Sequence, residues 1–225
     1  MNIVVLSGAG ISAESGINTF RDSNGLWEGH DVMSVASPQG FSKDPALVLD
    51  FYNQRRKQLF EVKPNKAHIA LAELENKHRV NIVTQNVDDL HERAGSTEVT
   101  HLHGELLKVR STLNEHDIYD WKKDLNLGDV DANNHQLRPH IVWFGEAVPK
   151  MEEAILLVNK ANIVIIVGTS MQVYPAAGLI QYVQSSCLIY FVDPKPSIDS
   201  SENVTVFAEK ATTGISKVID LIQKL

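Results

Sequence analysis

Four short runs constrain this chain more than any other feature: residues 3–6, 80–84, 163–167 and 188–192 are nearly unbroken apolar stretches rich in β-branched residues. A strand with one face in water alternates apolar and polar positions. These runs do not, so each reads as a strand buried on both faces, the pattern of a parallel sheet covered by helices. Amphipathic stretches lie between them. Residues 64–78 carry Ala67, Ala70, Leu71 and Leu74 at helical spacing, 151–160 carry Ile155, Leu156 and Val158, and 175–186 and 214–225 are of the same kind. Strand–helix alternation predicts a doubly wound α/β fold. Two segments break it. Residues 31–62 contain a helix opened by Asp44 as N-cap and Pro45 at the first helical position. Residues 105–140 are polar and irregular, and begin and end near possible strands. Loops this long are functional or form a subdomain, so the two insertions are expected to build a small second lobe, with a ligand cleft between lobes.

The length of 225 residues suits one large domain. A content of 43% hydrophobic and 22% charged residues excludes a disordered chain, a collagen and a coiled coil. The net charge of −7 offers no electrostatic footprint for nucleic acid. No window approaches the roughly 20 apolar residues of a spanning helix. The N-terminus lacks the basic region of a signal peptide, and a cytoplasmic setting is the expectation. The single cysteine, Cys187, excludes an internal disulfide and any site of several thiolates. Heading an apolar run, it reads as a small buried hydrophobe.

The first strand runs into Ser7-Gly8-Ala9-Gly10-Ile11-Ser12-Ala13. Gly8, Gly10 and Ala13 fit the G-x-G-x-x-G/A turn, where glycines let the backbone approach a pyrophosphate and a helix end stabilises its charge. The alternative is a strand–turn packed on glycine. The second strand of a dehydrogenase and its acidic residue do not follow; a polar loop, residues 14–22, does. Asn86 and Asp88, beyond the run 80–84, suit an amide and hydroxyls, or equally a turn and helix N-cap. His103 is one of nine histidines; its ordinary pKa near 6.5 suits a general base. Tyr52 and Arg55, spaced i, i+3, share a helix face. Arg offers a planar fork for a carboxylate and Tyr a hydroxyl, although Arg55-Arg56-Lys57 also reads as a solvated basic face.

Taken in order, five blocks resemble the sirtuins, the NAD-dependent protein lysine deacylases. They are Gly8-Ala9-Gly10-Ile11-Ser12 with Ser15-Gly16-Ile17 and Phe20-Arg21; residues 84–91; His101-Leu102-His103-Gly104; Val142-Trp143-Phe144-Gly145-Glu146; and Gly168-Thr169-Ser170 with residues 173–176. The resemblance is to the bacterial desuccinylase-like class (class III). It implies a single domain over residues 1–225, with a Rossmann-like large lobe near 1–30, 63–104 and 141–225 and a small lobe near 31–62 and 105–140. It implies NAD held by Gly8, Ala9, Gly10, Ser12, Phe20, Arg21, Gln85, Asn86, Asp88, Gly168, Thr169, Ser170, Asp193 and Ala211, with His103 as general base. It further implies an acylated protein lysine held by Tyr52, Arg55, Val142, Phe144 and Gly145, the peptide lying as an added strand near 142–146. A Tyr-x-x-Arg at this place marks removal of succinyl and malonyl groups, with acetyl also accepted, and the products would be free lysine, nicotinamide and O-acyl-ADP-ribose. The rival readings are an NAD glycohydrolase or ADP-ribosyltransferase, and a non-catalytic NAD- or acyl-lysine-binding module. No nucleic acid and no membrane partner is expected, and the oligomeric state is open.

The chain departs from the family at its structural zinc. Most sirtuins carry four cysteines in the small lobe. Here Ser111 stands where the first is expected, and no metal is expected at all. His116, Asp117 and His135 have no trusted ligand spacing. The lobe must instead hold by packing, with Trp121, Ile118, Leu125 and Leu127 as candidates.

Overall fold

The computed structural model describes residues 1–18 and 26–225. In chain order it forms β1 (Asn2–Ser7), β2 (Leu26–Trp27), β3 (His30–Asp31), α1 (Val32–Val35), α2 (Pro38–Lys43), α3 (Pro45–Glu61), α4 (Lys66–Glu73), β4 (Arg79–Thr84), α5 (Leu90–Ala94), β5 (Val99–His101), β6 (Gly104–Ser111), β7 (Ile118–Asp120), β8 (Leu137–Ile141), α6 (Met151–Asn159), β9 (Ile163–Val167), β10 (Leu188–Val192), β11 (Val204–Phe207) and α7 (Ala211–Ile222). Among the described residues a six-stranded sheet runs β11-β10-β9-β1-β4-β5, every pair parallel. The chain builds outward from β1 to one side through β4 and β5, then returns to build the other side from β9. The strand order therefore reverses between β1 and β9, and ligands of such sheets bind outside the carboxyl ends of the strands there.

The unbroken apolar runs are explained by two covered faces. Ile3, Val5, Ile163 and Ile165 pack with Leu71 of α4 and Ile215 and Val218 of α7. Val4, Leu6, Val164 and Ile166 pack with Ala154 and Val158 of α6 and with Leu179. Successive side chains on a strand point to opposite faces, so both faces need apolar residues. Segment 175–186, expected as a helix, forms only a 3-10 stretch at Ala176–Tyr182, tightened by an i to i+3 bond from Gly178 N–H to Pro175 O of 2.9 Å; Gly178 inside it lowers α-helix propensity.

Asp44 caps α3 as its spacing predicts, its Oδ1 accepting from Leu47 N at 3.0 Å with Pro45 following. α7 borrows its cap: Glu14 accepts from Thr212 N at 3.0 Å across 198 residues. A second, three-stranded antiparallel sheet, β7-β6-β8, lies in the largely irregular segment, with β6 and β8 at the two ends where strands were expected as possible. Its apolar pattern is broken because Arg110 and Arg138, both buried, stand in β6 and β8 and pair with Glu146. β11 was not anticipated; it is an edge strand whose side chains are half-buried or exposed.

The packing expected to hold residues 105–140 without zinc cysteines is corrected in part. Leu125 is buried and Trp121 packs against its cluster, whereas Ile118 and Leu127 are exposed. A polar clasp does the rest. Ser111 Oγ donates to Asp131 Oδ2 at 2.6 Å and accepts from Leu113 N at 3.1 Å. Asp131 Oδ1 accepts from Asn133 N at 2.8 Å and His135 N at 2.9 Å. The basic stretch on α3 is also corrected. Arg56 is buried, bonding Leu106 O and Asn53 Oδ1, while Lys57 faces solvent beside Asp124.

Candidate active site

Three loops meet where the strand order reverses. After β1 the chain makes two 3-10 turns, Ala9–Ile11 and Ala13–Ser15. Gly10 N–H bonds Gly168 O at 2.8 Å. The two backbones are so close that a Cβ on Gly168, which has φ +63°, would lie 2.2 Å from Ile11 N. Only glycine allows both the left-handed conformation and that approach. Gly8 and Ala9 open the loop, and Ser12, buried, closes it.

The second loop follows β4. Asn86 Nδ2 donates to Ser12 Oγ at 3.2 Å, and Ser12 Oγ donates to Asp88 Oδ2 at 3.0 Å. Asp88 Oδ1 accepts from Leu90 N at 3.2 Å. Burial pushes the Asp88 carboxyl up to about 6, against the pull of the Leu90 and Ser12 bonds. Gln85 Nε2 donates to Thr169 Oγ1 at 3.1 Å, which also accepts from Met171 N. Gly168, Thr169 and half-buried Ser170 thus form the third loop beside the second.

His103 lies beyond β5, and its Nδ1 is 2.9 Å from Gln85 O. A carbonyl only accepts, so Nδ1 carries the proton and Nε2 a lone pair. Burial pushes the ring below its ordinary pKa, with the Gln85 carbonyl opposing. His101, given no role from sequence, uses Nδ1 for Asn86 O at 2.8 Å and Nε2 for Glu92 Oε1 at 2.7 Å. Both partners accept. Burial opposes charge on this ring, yet Glu92 holds its pKa above the ordinary value. Two histidines two residues apart therefore hold successive carbonyls of the loop. Their i, i+2 spacing was the available signal.

Asp193 follows β10, with Oδ1 accepting from Lys195 N at 2.8 Å, and buried Ala211 starts α7. Phe20 and Arg21 lie outside the described residues. Tyr52 and Arg55 lie on α3, and Tyr52 packs against Trp143 in the segment after β8. Tyr52 is fully buried, and its hydroxyl accepts from Trp143 Nε1 at 2.9 Å. Burial pushes its phenol far above the ordinary value. Arg55 Nε and Nη1 are buried with no hydrogen-bond partner. Beyond β8, Val142 N–H bonds His103 O at 2.9 Å, so the substrate segment is tied to the histidine. Residues 143–146 form a turn through Gly145 at φ +91°, with Phe144 half exposed.

The site fits a dinucleotide: glycine backbones held apart by nothing larger than hydrogen sit beside Ser12, Asn86, Asp88 and Thr169, a set of buried polar groups at the carboxyl edge of the sheet. Among the described residues no group of three metal-ligating side chains occurs, and no helix is long and apolar enough to cross a membrane.

Comparison with known proteins places this geometry. The Sir2 family profile matches residues 8–175. An NAD-dependent protein deacylase of Helicobacter pylori is 61% identical over 225 residues, covering 100% of this chain and 97% of that protein. One of Bacteroides thetaiotaomicron is 52% identical over 228 residues, covering 98% and 97%. Among solved structures, a complex of a Sir2 homologue with NAD superposes with a TM-score of 0.85 at 38% identity, covering 99% of this chain and 89% of that one. A Sir2–p53 peptide–NAD+ complex superposes at 0.80 and 31% identity, covering 99% and 94%. The sheet order and the glycine loops at the point of reversal define a Rossmann-like NAD enzyme. The chain belongs to the Sir2 family.

Proposed function

We propose that this chain, an NAD-dependent protein deacylase, removes succinyl and malonyl groups from protein lysines and accepts acetyl groups as well. The observation that carries the acidic preference is Arg55: a guanidinium with Nε and Nη1 buried and without a hydrogen bond, three residues along α3 from the buried Tyr52. Leaving such donors unmet is costly, and a carboxylate at the end of an acyl chain would satisfy them in a planar fork. Tyr52, held protonated by burial and already accepting from Trp143, keeps its O–H to donate to the same carboxylate.

NAD, when bound, supplies an electrophilic ribose carbon and nicotinamide as leaving group. Asn86 and Asp88, oriented through Ser12, would hold the carboxamide end. Gln85 would fix the loop against Thr169. Gly8, Ala9, Gly10 and Gly168 to Ser170 would meet the pyrophosphate and ribose, and Asp193 and Ala211 the adenosine half, with Phe20 and Arg21 completing the loop. His103 keeps Nδ1 on the Gln85 carbonyl and so presents Nε2 to take a hydroxyl proton. Val142, Phe144 and Gly145 would carry the peptide, entering between the six-stranded and three-stranded sheets, which serve as the two lobes.

Mass-spectrometric turnover of matched succinyl-lysine and acetyl-lysine peptides, with and without NAD, tests this. Succinyl should be lost faster, and only with NAD. Arg55→Met should lower desuccinylation at least about tenfold more than deacetylation, since truncating a buried charge pair costs 2 kcal/mol or more. Equal losses on both peptides would remove the carboxylate clamp. His103→Ala should keep NAD binding and abolish turnover; retained turnover would remove His103 from the mechanism.

A further inference from the structure

The hairpin of β2 and β3 turns through two residues, Glu28 and Gly29, both at positive φ, +51° and +83°. Such turns favour Asn, Asp or Gly at the first position, because other side chains crowd the backbone in the left-handed region. A glutamate is held there against that preference. Its carboxylate faces α3: Glu28 Oε1 lies 3.7 Å from Arg55 Nη1, with the two side chains only 21% and 16% exposed. The distance is too long for a hydrogen bond, so the pair leaves Nη1 of Arg55 without one, as Nε also is.

Aromatic packing seats the hairpin on α3. Trp27, just before the turn, packs edge-on against Phe51 with centroids 4.9 Å apart and against Tyr52 at 6.2 Å. His30, just after it, packs on Phe51 at 5.6 Å. Arg55 lies over the same Phe51 ring, its Cζ 5.1 Å from the centroid. One turn of α3 thus anchors both arms of the hairpin and carries both clamp residues.

We propose that Glu28 is a specificity-determining residue: its carboxylate is a built-in counter-ion that occupies the acyl-carboxylate subsite of Arg55 loosely and competes with a dicarboxylic acyl chain. This rests on the clamp reading of Tyr52 and Arg55. With Glu28 in place the subsite is near neutral, so an acetyl group meets no uncompensated cation and a succinyl group must displace an existing partner. The device tunes the enzyme toward breadth and away from strict selection of acidic acyl groups, by adding a repulsive element against the favoured substrate.

Glu28→Gln removes the charge and keeps the size; Glu28→Gly removes the charge and suits the positive φ, so at least one variant retains the hairpin. For each, the dissociation constant of a succinyl-lysine peptide is measured by calorimetry without NAD, and the succinyl-to-acetyl ratio of kcat/KM with NAD. Both variants should bind the succinyl peptide about tenfold more tightly, which corresponds to about 1.4 kcal/mol, and raise the ratio by a similar factor. An unchanged or lowered ratio in both overturns the proposal, a lowered one assigning Glu28 to holding Arg55 in position. Arg55→Met separates the two readings: if it lowers the ratio while the Glu28 variants change nothing, the clamp stands and the counter-ion falls. If Arg55→Met leaves the ratio unchanged, the clamp itself falls.

Discussion

Trp143 donates a 2.9 Å hydrogen bond from Nε1 to the hydroxyl of Tyr52, joining the segment after β8 to the middle of α3 across 91 residues. The indole is itself fixed from two sides. Glu146 Oε2 accepts from Trp143 N at 2.8 Å, and Arg138, paired with Glu146 at 2.6 and 3.0 Å, lays its guanidinium 3.3 Å from the indole centroid. One carboxylate thereby sets the turn, the ring and, through the ring, the tyrosine. Trp143→Phe keeps the packing and deletes the donor. Loss of one such bond is worth about 1 kcal/mol; desuccinylation should fall several-fold in kcat/KM and deacetylation less. Comparing the two peptides checks this, and equal losses would mean that Trp143 acts by packing alone.

In the proposed mechanism the acid side of the rate profile follows from two groups, His103 as base and Asp88 as hydrogen-bond acceptor, that act unprotonated. Burial lowers the His103 pKa below its ordinary value, and burial raises Asp88 to about 6. His103 keeps its lone pair to lower pH than a free imidazole, while Asp88 takes up its proton near 6. Activity, followed as kcat/KM from pH 5 to 9, should hold above about 7 and fall below about 6. A midpoint well above 7 would contradict the buried environment of His103.

Two further histidines make the fold itself acid-sensitive. His68 and His91 stack edge to face with centroids 4.9 Å apart, and His68 Nε2 and His91 Nδ1 have no hydrogen-bond partner. Burial lowers His68 to about 4 and His91 well below its ordinary value. Both fall below the unfolded value near 6.5, so the unfolded chain takes up protons first as pH drops, and stability is lost from about pH 6.5 downward, by roughly 3 kcal/mol for His68 at pH 4. Asp88 acts oppositely: raised to about 6, it favours folding below the unfolded value of 3.8 and loses that contribution as pH rises to 6. Two histidines outweigh one carboxylate. The Tm by circular dichroism should drop between pH 7 and 4.5, and drop less in His68→Gln, whose amide oxygen can still accept from Asn65 N.

The Ser111–Asp131 clasp should carry the fold around the three-stranded sheet. Ser111→Ala strips a 2.6 Å donor from Asp131 and an acceptor from Leu113 N. The Tm should fall by several degrees, and hydrogen exchange should rise first in β6 to β8. The bonds of Ser111 and of the Asn133 and His135 amides pull Asp131 down to about 2. Its contribution is therefore present above 3.8 and lost as pH falls toward 2. An unchanged Tm in Ser111→Ala would leave the lobe to Leu125 and its neighbours.

The sequence by itself determined the sheet. Strands buried on both faces must be apolar throughout, and at β1, β4, β9 and β10 that local requirement is visible without any partner. Asp44 and Pro45 likewise act within one turn of helix, so their role was legible. The order of blocks marked the loops that meet at the reversal of strand order. Tertiary structure decided what depended on distant partners. Arg110 and Arg138 look like surface residues until Glu146 pairs with both, which blurred the apolar pattern of β6 and β8. Arg56 sat in an apparent basic face until Leu106 O and Asn53 satisfied it inside. His101 gained its place only when Glu92 and the Asn86 carbonyl closed on it. Glu28 and Arg55, 27 positions apart in the chain, became neighbours only because aromatic packing on Phe51 pins the hairpin to α3. Apolar burial is a property of a residue and its near neighbours; compensation of a buried charge or donor is a property of a pair, and the fold chooses the pair.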